Sequence, residues 1–497
     1  MRYVVTPAEM AALDAHTIRE IGVPGVVLME RAALAVASEV KARWPGQPVL
    51  IACGPGNNGG DGLAAARILK LWGTSVTCYA PHADYKGDAL IQYNAAQKVG
   101  VPFLADLDAF DEAARQAAVI VDGLFGTGLR ADCSGSWAEL IEAINRSGRP
   151  VLAVDIPSGI DGETGKVRGT AIRAACTVTF QYLKLGHCLF PGREHAGELI
   201  AADIGIAEER SLFEGRRVLD WQDAKFCPRR ADSHKGSYGH VVVVAGSMGM
   251  LGAGALAARA AVRGGAGLVT WVVPQSLVIP ASSLVTEVML CPVPDCGGRL
   301  CSASENALRQ ALAGKTALVI GPGMSRNPDT TELIRNILHT IDIPMVVDAD
   351  ALFAVSGYPA LFPKAERVLT PHPGEMARLL GSTVEEVEAD RIGAVRRCTE
   401  QYGGTSVLKG ATTLIASGGE LTLNLTGNPG MATGGAGDVL AGLTGALLAQ
   451  GCSAYEAASR ACWLHGRAGD IAAAEKGQAG LAAGDIAECL PRASGGE

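Results

Sequence analysis

The residue types able to do chemistry in this chain gather directly after apolar runs. The first gathering is Gly54-Pro55-Gly56-Asn57-Asn58-Gly59-Gly60-Asp61-Gly62, which follows the run Pro48–Cys53. It contains a G-x-G-x-x-G in a strand–loop–helix setting. There, glycines let backbone amides approach a phosphate, and the helix N-terminus adds partial positive charge. Such a loop suggests a dinucleotide cofactor and a dehydrogenase. The next strand should then close on an acid for the ribose hydroxyls, but it closes on Tyr79-Ala80-Pro81, which counts against that activity.

Two further strand ends carry polar clusters, Val121-Asp122-Gly123-Leu124-Phe125-Gly126-Thr127-Gly128-Leu129 and Val154-Asp155-Ile156-Pro157-Ser158-Gly159. Asp122 or Asp155 alone reads equally well as the cap of a following helix. Three such loops at the carboxyl edge of one parallel sheet read differently. They assemble carboxylates, amide oxygens, a hydroxyl and free amides, a set suited to a hard cation, a pyrophosphate and one acid/base group.

The second half holds Asn428-Pro429-Gly430-Met431-Ala432-Thr433-Gly434-Gly435-Ala436-Gly437-Asp438, which opens a helix. Amides at that start form an anion hole for a transferring phosphoryl group, and Asp438 beside them can take a proton from an attacking hydroxyl. Lys409-Gly410-Ala411-Thr412-Thr413 lies between two strands and would supply a nucleotide edge. Gly321-Pro322-Gly323-Met324 and Thr370-Pro371-His372-Pro373-Gly374-Glu375 would line the acceptor side. Taken singly, His372 reads as a loop histidine and Lys409 as a solvated surface lysine.

The elements that must position these loops alternate. Thr6-Pro7-Ala8-Glu9 forms a capping box for a helix reaching Ile18. Buried strands are predicted at Pro48–Cys53, Ser75–Ala80, Ala118–Asp122, Pro150–Asp155 and Cys176–Gln181, and crossover helices at Gly60–Trp72, Lys86–Val99 and Gly135–Asn145. The charged stretch Glu208–Arg217 and polar Asp220–Lys235 divide the chain into expected domains at 1–217 and 222–497. In the second, strands are predicted at His240–Ala245, Gly267–Val273, Ala317–Gly321, Pro344–Asp348, Arg367–Thr370, Ser406–Lys409 and Thr413–Ala416. Its helices are expected near Gly252–Arg263, Asp329–His339, Gly437–Gln450 and Tyr455–Ala474. The fold class is α/β, in two tandem three-layer domains.

Composition sets the remaining bounds. Apolar residues at 48% against 19% charged support large cores. The net charge of −8 lacks the basic stripe that nucleic acid requires. The uncharged stretch Val241–Ala258 contains four glycines and reads as strand, loop and helix rather than a membrane span. Single cysteines in apolar segments, Cys53, Cys78 and Cys176, read as core residues of a reducing compartment, so a cytoplasmic location is expected.

Together these motifs resemble the bifunctional NAD(P)H-hydrate repair enzymes over essentially the whole chain. The first half is similar to their epimerase domain through Asn57–Asp61, Gly126-Thr127-Gly128 and Asp155–Gly159. The second is similar to their ribokinase-like, ADP/ATP-dependent dehydratase domain through Lys235–Gly239, Gly321–Gly323, His372–Glu375, Lys409–Thr413 and Gly434–Asp438. The resemblance implies that a Rossmann-like domain interconverts the R and S forms of hydrated NADH and NADPH. The ribokinase-like domain then restores the S form at the expense of ADP or ATP, with Mg²⁺.

By the same resemblance, Asn57, Asn58, Gly59, Gly60 and Asp61 bind the hydrate, with Gly126, Thr127, Gly128, Leu129, Arg130, Ala131, Asp132 and Asp155. Asn58, Asp122 and Ser158 hold a potassium ion. In the second domain Ala253, Gly323, His372 and Asp438 contact the hydrate, while Lys409, Gly410, Ala411, Thr412, Thr413 and Gly437 form the nucleotide site. Asp155 and Asp438 are the implied catalytic groups. Met250-Leu251 precede Gly252-Ala253 where relatives often carry an aromatic residue, a departure that bears on Ala253. The expected partners are small molecules, without nucleic acid or membrane, and the expected assembly is a homo-oligomer. The alternative is a ribokinase-like small-molecule kinase with an N-terminal nucleotide-binding regulatory module.

Overall fold

The computed structural model describes residues 2–494 apart from 83, 227 and 363–365. The chain divides into two compact units, Arg2–Arg216 and Arg217–Glu497. In the first, the strands are β1 (Arg2–Val5), β2 (Val49–Cys53), β3 (Val76–Tyr79), β4 (Phe103–Leu104), β5 (Val119–Gly123), β6 (Val151–Val154), β7 (Cys176–Phe180), β8 (Leu183–Lys184) and β9 (Glu198–Ala202). Seven form a parallel sheet in the order β4-β3-β2-β5-β6-β7-β9, and β1 pairs with β8.

Alternation along β2 explains why a run without polar residues becomes a strand. Val49, Ile51 and Cys53 enter one core layer, with the helices Gly25–Arg43 and Asn57–Leu71, and Leu50 and Ala52 enter the other. With both faces covered by helices, no position is left for a polar side chain until the strand ends. The chain leaves β2 to one side for β3 and returns to the other side for β5. This is the switch point where crevices open at the carboxyl ends of strands.

The second unit contains β10 (Arg217–Val218), β11 (His240–Val244), β12 (Leu268–Pro274), β13 (Met289–Val293), β14 (Ala317–Ile320), β15 (Met345–Val347), β16 (Arg367–Leu369), β17 (Thr405–Leu408), β18 (Thr413–Ser417) and β19 (Glu420–Asn424). Their order is β13-β12-β11-β14-β15-β16-β17-β18-β19-β10. Pairing is parallel from β13 to β17 and antiparallel through β17-β18-β19. Here the order reverses between β11 and β14.

The capping box at Thr6 and Glu9 opens a helix over Pro7–Arg19. Val241–Ala258 divides between β11, a loop and the helix Leu251–Arg263, and no helix among the described residues is long and apolar enough to cross a membrane. Three expectations need correction. The helix predicted from Gly60 starts at Asn57, so Asn57–Asp61 open the helix rather than form a loop. The helices Gly25–Arg43 and Arg391–Tyr402 arise where no element was read. So do β9, β13 and β19; β9 and β13 are edge strands and half-exposed.

Candidate functional site

The first crevice is floored by Asp122, which lies near the end of β5 and is fully buried. Its carboxylate accepts from Ser158 Oγ (2.6 Å), Ser158 N (2.8 Å) and Leu124 N (3.2 Å), while Ser158 Oγ accepts from Phe125 N (2.8 Å). Burial pushes the Asp122 pKa up to about 6 against the pull of these hydrogen bonds. Asn58 stands beside them: a Cβ on Gly126 would lie 3.2 Å from its Oδ1. The Asn58 Nδ2 is buried and has no hydrogen-bond partner. The structure thus brings Asn58, Asp122, Ser158 and Gly126 together. Thr127 packs near Gly162, Leu129 packs on the core, and Gly128, Arg130, Ala131 and Asp132 are exposed.

The glycines here also serve packing. A Cβ on Gly54 would fall 1.8 Å from Leu124 O, and one on Gly59 1.8 Å from Gly54 O. On Gly60 it would meet Met29 and Ala89. These residues let the helix Asn57–Leu71 seat tightly on the loops after β2 and β5. Only Gly56, which precedes the helix, faces open space.

Asp155 follows β6 with φ +63°, a left-handed conformation rare for a residue with a side chain. Its Oδ1 accepts from Lys184 Nζ (2.6 Å) and Thr179 Oγ1 (3.0 Å). Burial works to raise its pKa, but the charge and hydrogen bond of Lys184 prevail and hold Asp155 below the ordinary carboxylate value. Lys184, only 1% exposed, also donates to Thr179 Oγ1 (2.9 Å) and Phe180 O (3.1 Å). Two more carboxyls feel this pair. Asp61 is raised well above its ordinary value by burial and by the charges of Asp155 and Asp14. Asp14, on the helix Pro7–Arg19, is raised to about 6, chiefly by burial. His187 closes the group; its Nδ1 accepts from Lys184 N (3.0 Å), and burial then Lys184 push it down to about 4.

In the second unit Asp438 lies in the first turn of the helix Ala436–Ala449, which Gly435 enters with φ +93°. Burial, then the charge of Asp348, raises Asp438 to about 7. Lys409 corrects its single-residue reading. It is 22% exposed, not solvated, and its Nζ donates to Asp348 Oδ1 (3.0 Å) and lies 3.8 Å from Glu375 Oε2. Thr370 Oγ1 donates to the same Asp348 oxygen at 2.8 Å. Burial opposes the ammonium, and Asp348, Glu375 and Asp438 more than offset it. A Cβ on Gly437 would lie 3.4 Å from Lys409 Nζ, so the ammonium stands at the amide-rich helix start.

The acceptor side meets at the β11–β14 switch point. Gly323 (φ +62°) packs so closely on Met250 and Ala253 that a Cβ there would lie 3.0 Å from the Ala253 Cβ, and Ser247 Oγ donates to Gly323 O (2.8 Å). His372 is the N-cap of the helix Pro373–Leu380; its Nδ1 accepts from Gly374 N (3.0 Å), and its Nε2 lies 3.5 Å from Glu375. Lys409–Thr412 form the turn between antiparallel β17 and β18. Arg391 clamps that turn by donating to Lys409 O (3.1 Å) and Thr412 O (3.2 Å).

Residue-level reading missed Lys184, Asp14, Asp348 and Arg391. Two carried a signal: Asp348 ends the run Met345-Val346-Val347 as Asp122 and Asp155 end theirs, and Lys184 is the lone charge in Cys176–Cys188. The cysteines also held a surprise. Cys53, Cys78 and Cys176 are free and buried as expected, but Cys296 and Cys301 form a disulfide.

The family described as NAD(P)H-hydrate dehydratase matches residues 241–492, and that described as YjeF-related protein N-terminus matches residues 25–186. The bifunctional NAD(P)H-hydrate repair enzyme of Moorella thermoacetica is 41% identical over 508 residues, covering 98% of this chain and 96% of its own. The Escherichia coli K12 enzyme of the same name is 36% identical over 476 residues, covering 94% and 88%. A ribokinase-like superfamily protein from Enterococcus faecalis V583 is 27% identical with a TM-score of 0.50, covering 58% of this chain and 98% of its own. Matched along nearly its whole length, and by one family in each unit, the chain belongs to the bifunctional NAD(P)H-hydrate repair enzymes.

Proposed function

We propose that the N-terminal unit epimerises the R and S forms of hydrated NADH and NADPH, and that the C-terminal unit dehydrates the S form to NAD(P)H using ADP or ATP. One observation carries the reading: Asp438, pushed up to about 7 by burial and Asp348, stands at an amide-rich helix start beside the Lys409 ammonium. A hydroxyl can be deprotonated there while a phosphoryl group is held. Moving that group onto the C6 hydroxyl turns a poor leaving group into phosphate, which departs as C5 loses a proton.

In the N-terminal crevice Asp155 serves as acid/base at C6, with Asn57–Asp61 and Gly126–Asp132 around the substrate. The oxygens of Asn58, Asp122 and Ser158 suit a hard monovalent cation: a single carboxylate, a hydroxyl and an amide, with Asp122 and Ser158 fully buried. Potassium there would fix the loops that shape the crevice. In the C-terminal unit the substrate side comprises Ala253, Gly323 and His372, and the nucleotide lies along Lys409–Thr413 and Gly437. The carboxylates of Asp348, Glu375 and Asp438 outnumber the Lys409 ammonium, a balance that suits a hard divalent cation. Mg²⁺ arriving on the nucleotide phosphates would lower their charge. A homo-oligomer belongs to the same proposal, supported by the exposed apolar side chains Ile18, Ile21, Val27, Leu34, Leu90 and Ile91.

The test is incubation of the full chain with mixed R and S hydrate, with and without ADP, followed at the NADH absorbance band. Full recovery of NADH with nucleotide supports both activities. Recovery of the S half alone removes the epimerase, and recovery without nucleotide removes the phosphoryl route.

A further inference from the structure

The proposed epimerase chemistry uses Asp155 and leaves two carboxyls and an ammonium beside it without a part in the proton transfer. They come from separate elements: Asp14 from the helix Pro7–Arg19, Asp61 from the N-terminal part of the helix Asn57–Leu71, and Lys184 from β8. Lys184 is committed, because its Nζ donates to Asp155 Oδ1, Thr179 Oγ1 and Phe180 O, one partner for each of its three protons. Asp61 is 9% exposed, and among the described residues its carboxyl accepts no hydrogen bond. One ammonium thus faces three carboxyls and bonds only one of them.

Two carboxyls whose surroundings drive their protons in opposite directions form an acid–base pair. Asp155 is held ionised by Lys184, whereas burial and the charges of Asp155 and Asp14 favour the protonated form of Asp61. The charged or titratable groups facing the pair are Asp14, Lys184 and His187.

We propose that Asp61 is the general acid of the epimerase and Asp155 its base, with Lys184 as the positioning residue that decides which of them carries the proton. The assignment rests on the N-terminal unit acting on the hydrate. Asp61 gives its proton to the C6 hydroxyl, the C6–O bond breaks with its electron pair leaving in water, and the N1 lone pair forms N1=C6. Water then adds to C6 from the other face, that π pair returns to N1, and Asp155 accepts the proton of the added water. Return of that proton from Asp155 to Asp61 completes the cycle, and no oxidant or reductant is consumed.

The experiment follows R/S equilibration by the full chain, resolved chromatographically, across pH. Asp61→Asn keeps the shape but has no acidic proton, so kcat should fall roughly 10²–10⁴-fold with little change in KM. In Lys184→Met, Asp155 loses the charge that keeps it ionised. The rate-versus-pH profile should move to higher pH by about one unit or more, with about tenfold loss at low pH and recovery toward alkaline pH. Lys184→Gln repeats the test should Lys184→Met fail to fold, and NADH formation from pure S hydrate by the same samples reports the C-terminal unit. Asp61→Asn at near wild-type rate overturns the acid assignment. An equal loss in Lys184→Met at every pH, with the profile in place, overturns the positioning role. A wild-type chain that never equilibrates the hydrates overturns the epimerase reading itself.

Discussion

Asp438 and Asp155 carry opposite electrostatic signatures, and each suits a different task. For Asp438, burial and the nearby Asp348 outweigh the charge of Lys409 and lift it to about 7. As a base it works only once deprotonated, so NADH formation from S hydrate should rise as pH increases from about 6 to about 8. Below its pKa the rate should fall about tenfold per pH unit. Asp438→Asn should lower turnover by orders of magnitude while leaving ADP binding, measured by calorimetric titration, nearly intact. Turnover near the wild-type rate would count against the base. Asp155→Asn loses the ionised group opposite Lys184. It should remove most epimerisation, roughly 10²–10⁴-fold, and leave dehydration of pure S hydrate untouched. Equal loss of both activities would instead indicate misfolding.

At the scale of elements, the glycine-rich turn after β2 is a packing device. Gly59 seats the helix Asn57–Leu71 against Gly54 O, which is backbone and cannot rotate away, whereas Gly56 has nothing within 4 Å of its Cβ position and φ −99°. Gly59→Ala should therefore destabilise the N-terminal unit by about 1–3 kcal/mol or more, through forced displacement of the helix. Gly56→Ala should stay within about 0.5 kcal/mol of wild type. Thermal unfolding of the two variants side by side measures the contrast. Similar values would mean that the turn is shaped by something other than this contact.

For the whole molecule, the acid cluster trades stability for function. Asp61 has a folded-state pKa raised well above the ordinary carboxylate value, so the fold opposes its ionisation. The resulting penalty is absent when both states are protonated, grows as pH rises past the unfolded value, and is complete above the folded one. Asp155, with its lowered pKa, works the other way: it stabilises the fold above the unfolded value and loses that contribution in acid. Asp61→Asn should therefore raise the unfolding temperature of the N-terminal unit at pH 8 even as it removes activity, and the gain should shrink toward pH 4. Each pKa unit of displacement corresponds to about 1.4 kcal/mol. A gain that is absent or independent of pH would show that Asp61 ionises freely in the fold.

Much of this architecture was legible in one dimension because its signals are local. Apolar runs of strand length mark β2, β5, β6 and β11, the Thr6–Glu9 spacing marks a helix start, and Asp122, Asp155 and Asp438 stand where a run or a glycine cluster ends. Each depends on neighbours a few residues away, which periodicity records. What only the tertiary structure decided is which groups meet and which of them hold a proton. Asp122 meets Ser158 across 36 residues, Asp155 meets Lys184 across 29, and Asp348 meets Lys409 across 61. Lys409 reads as a surface lysine until Asp348 is placed beside it, and Asp61 reads as a ligand-loop polar residue until burial among other acids sets its charge. Sequence pattern assigns a residue to a face. Coulomb energy and desolvation depend on distances that only the packed chain defines.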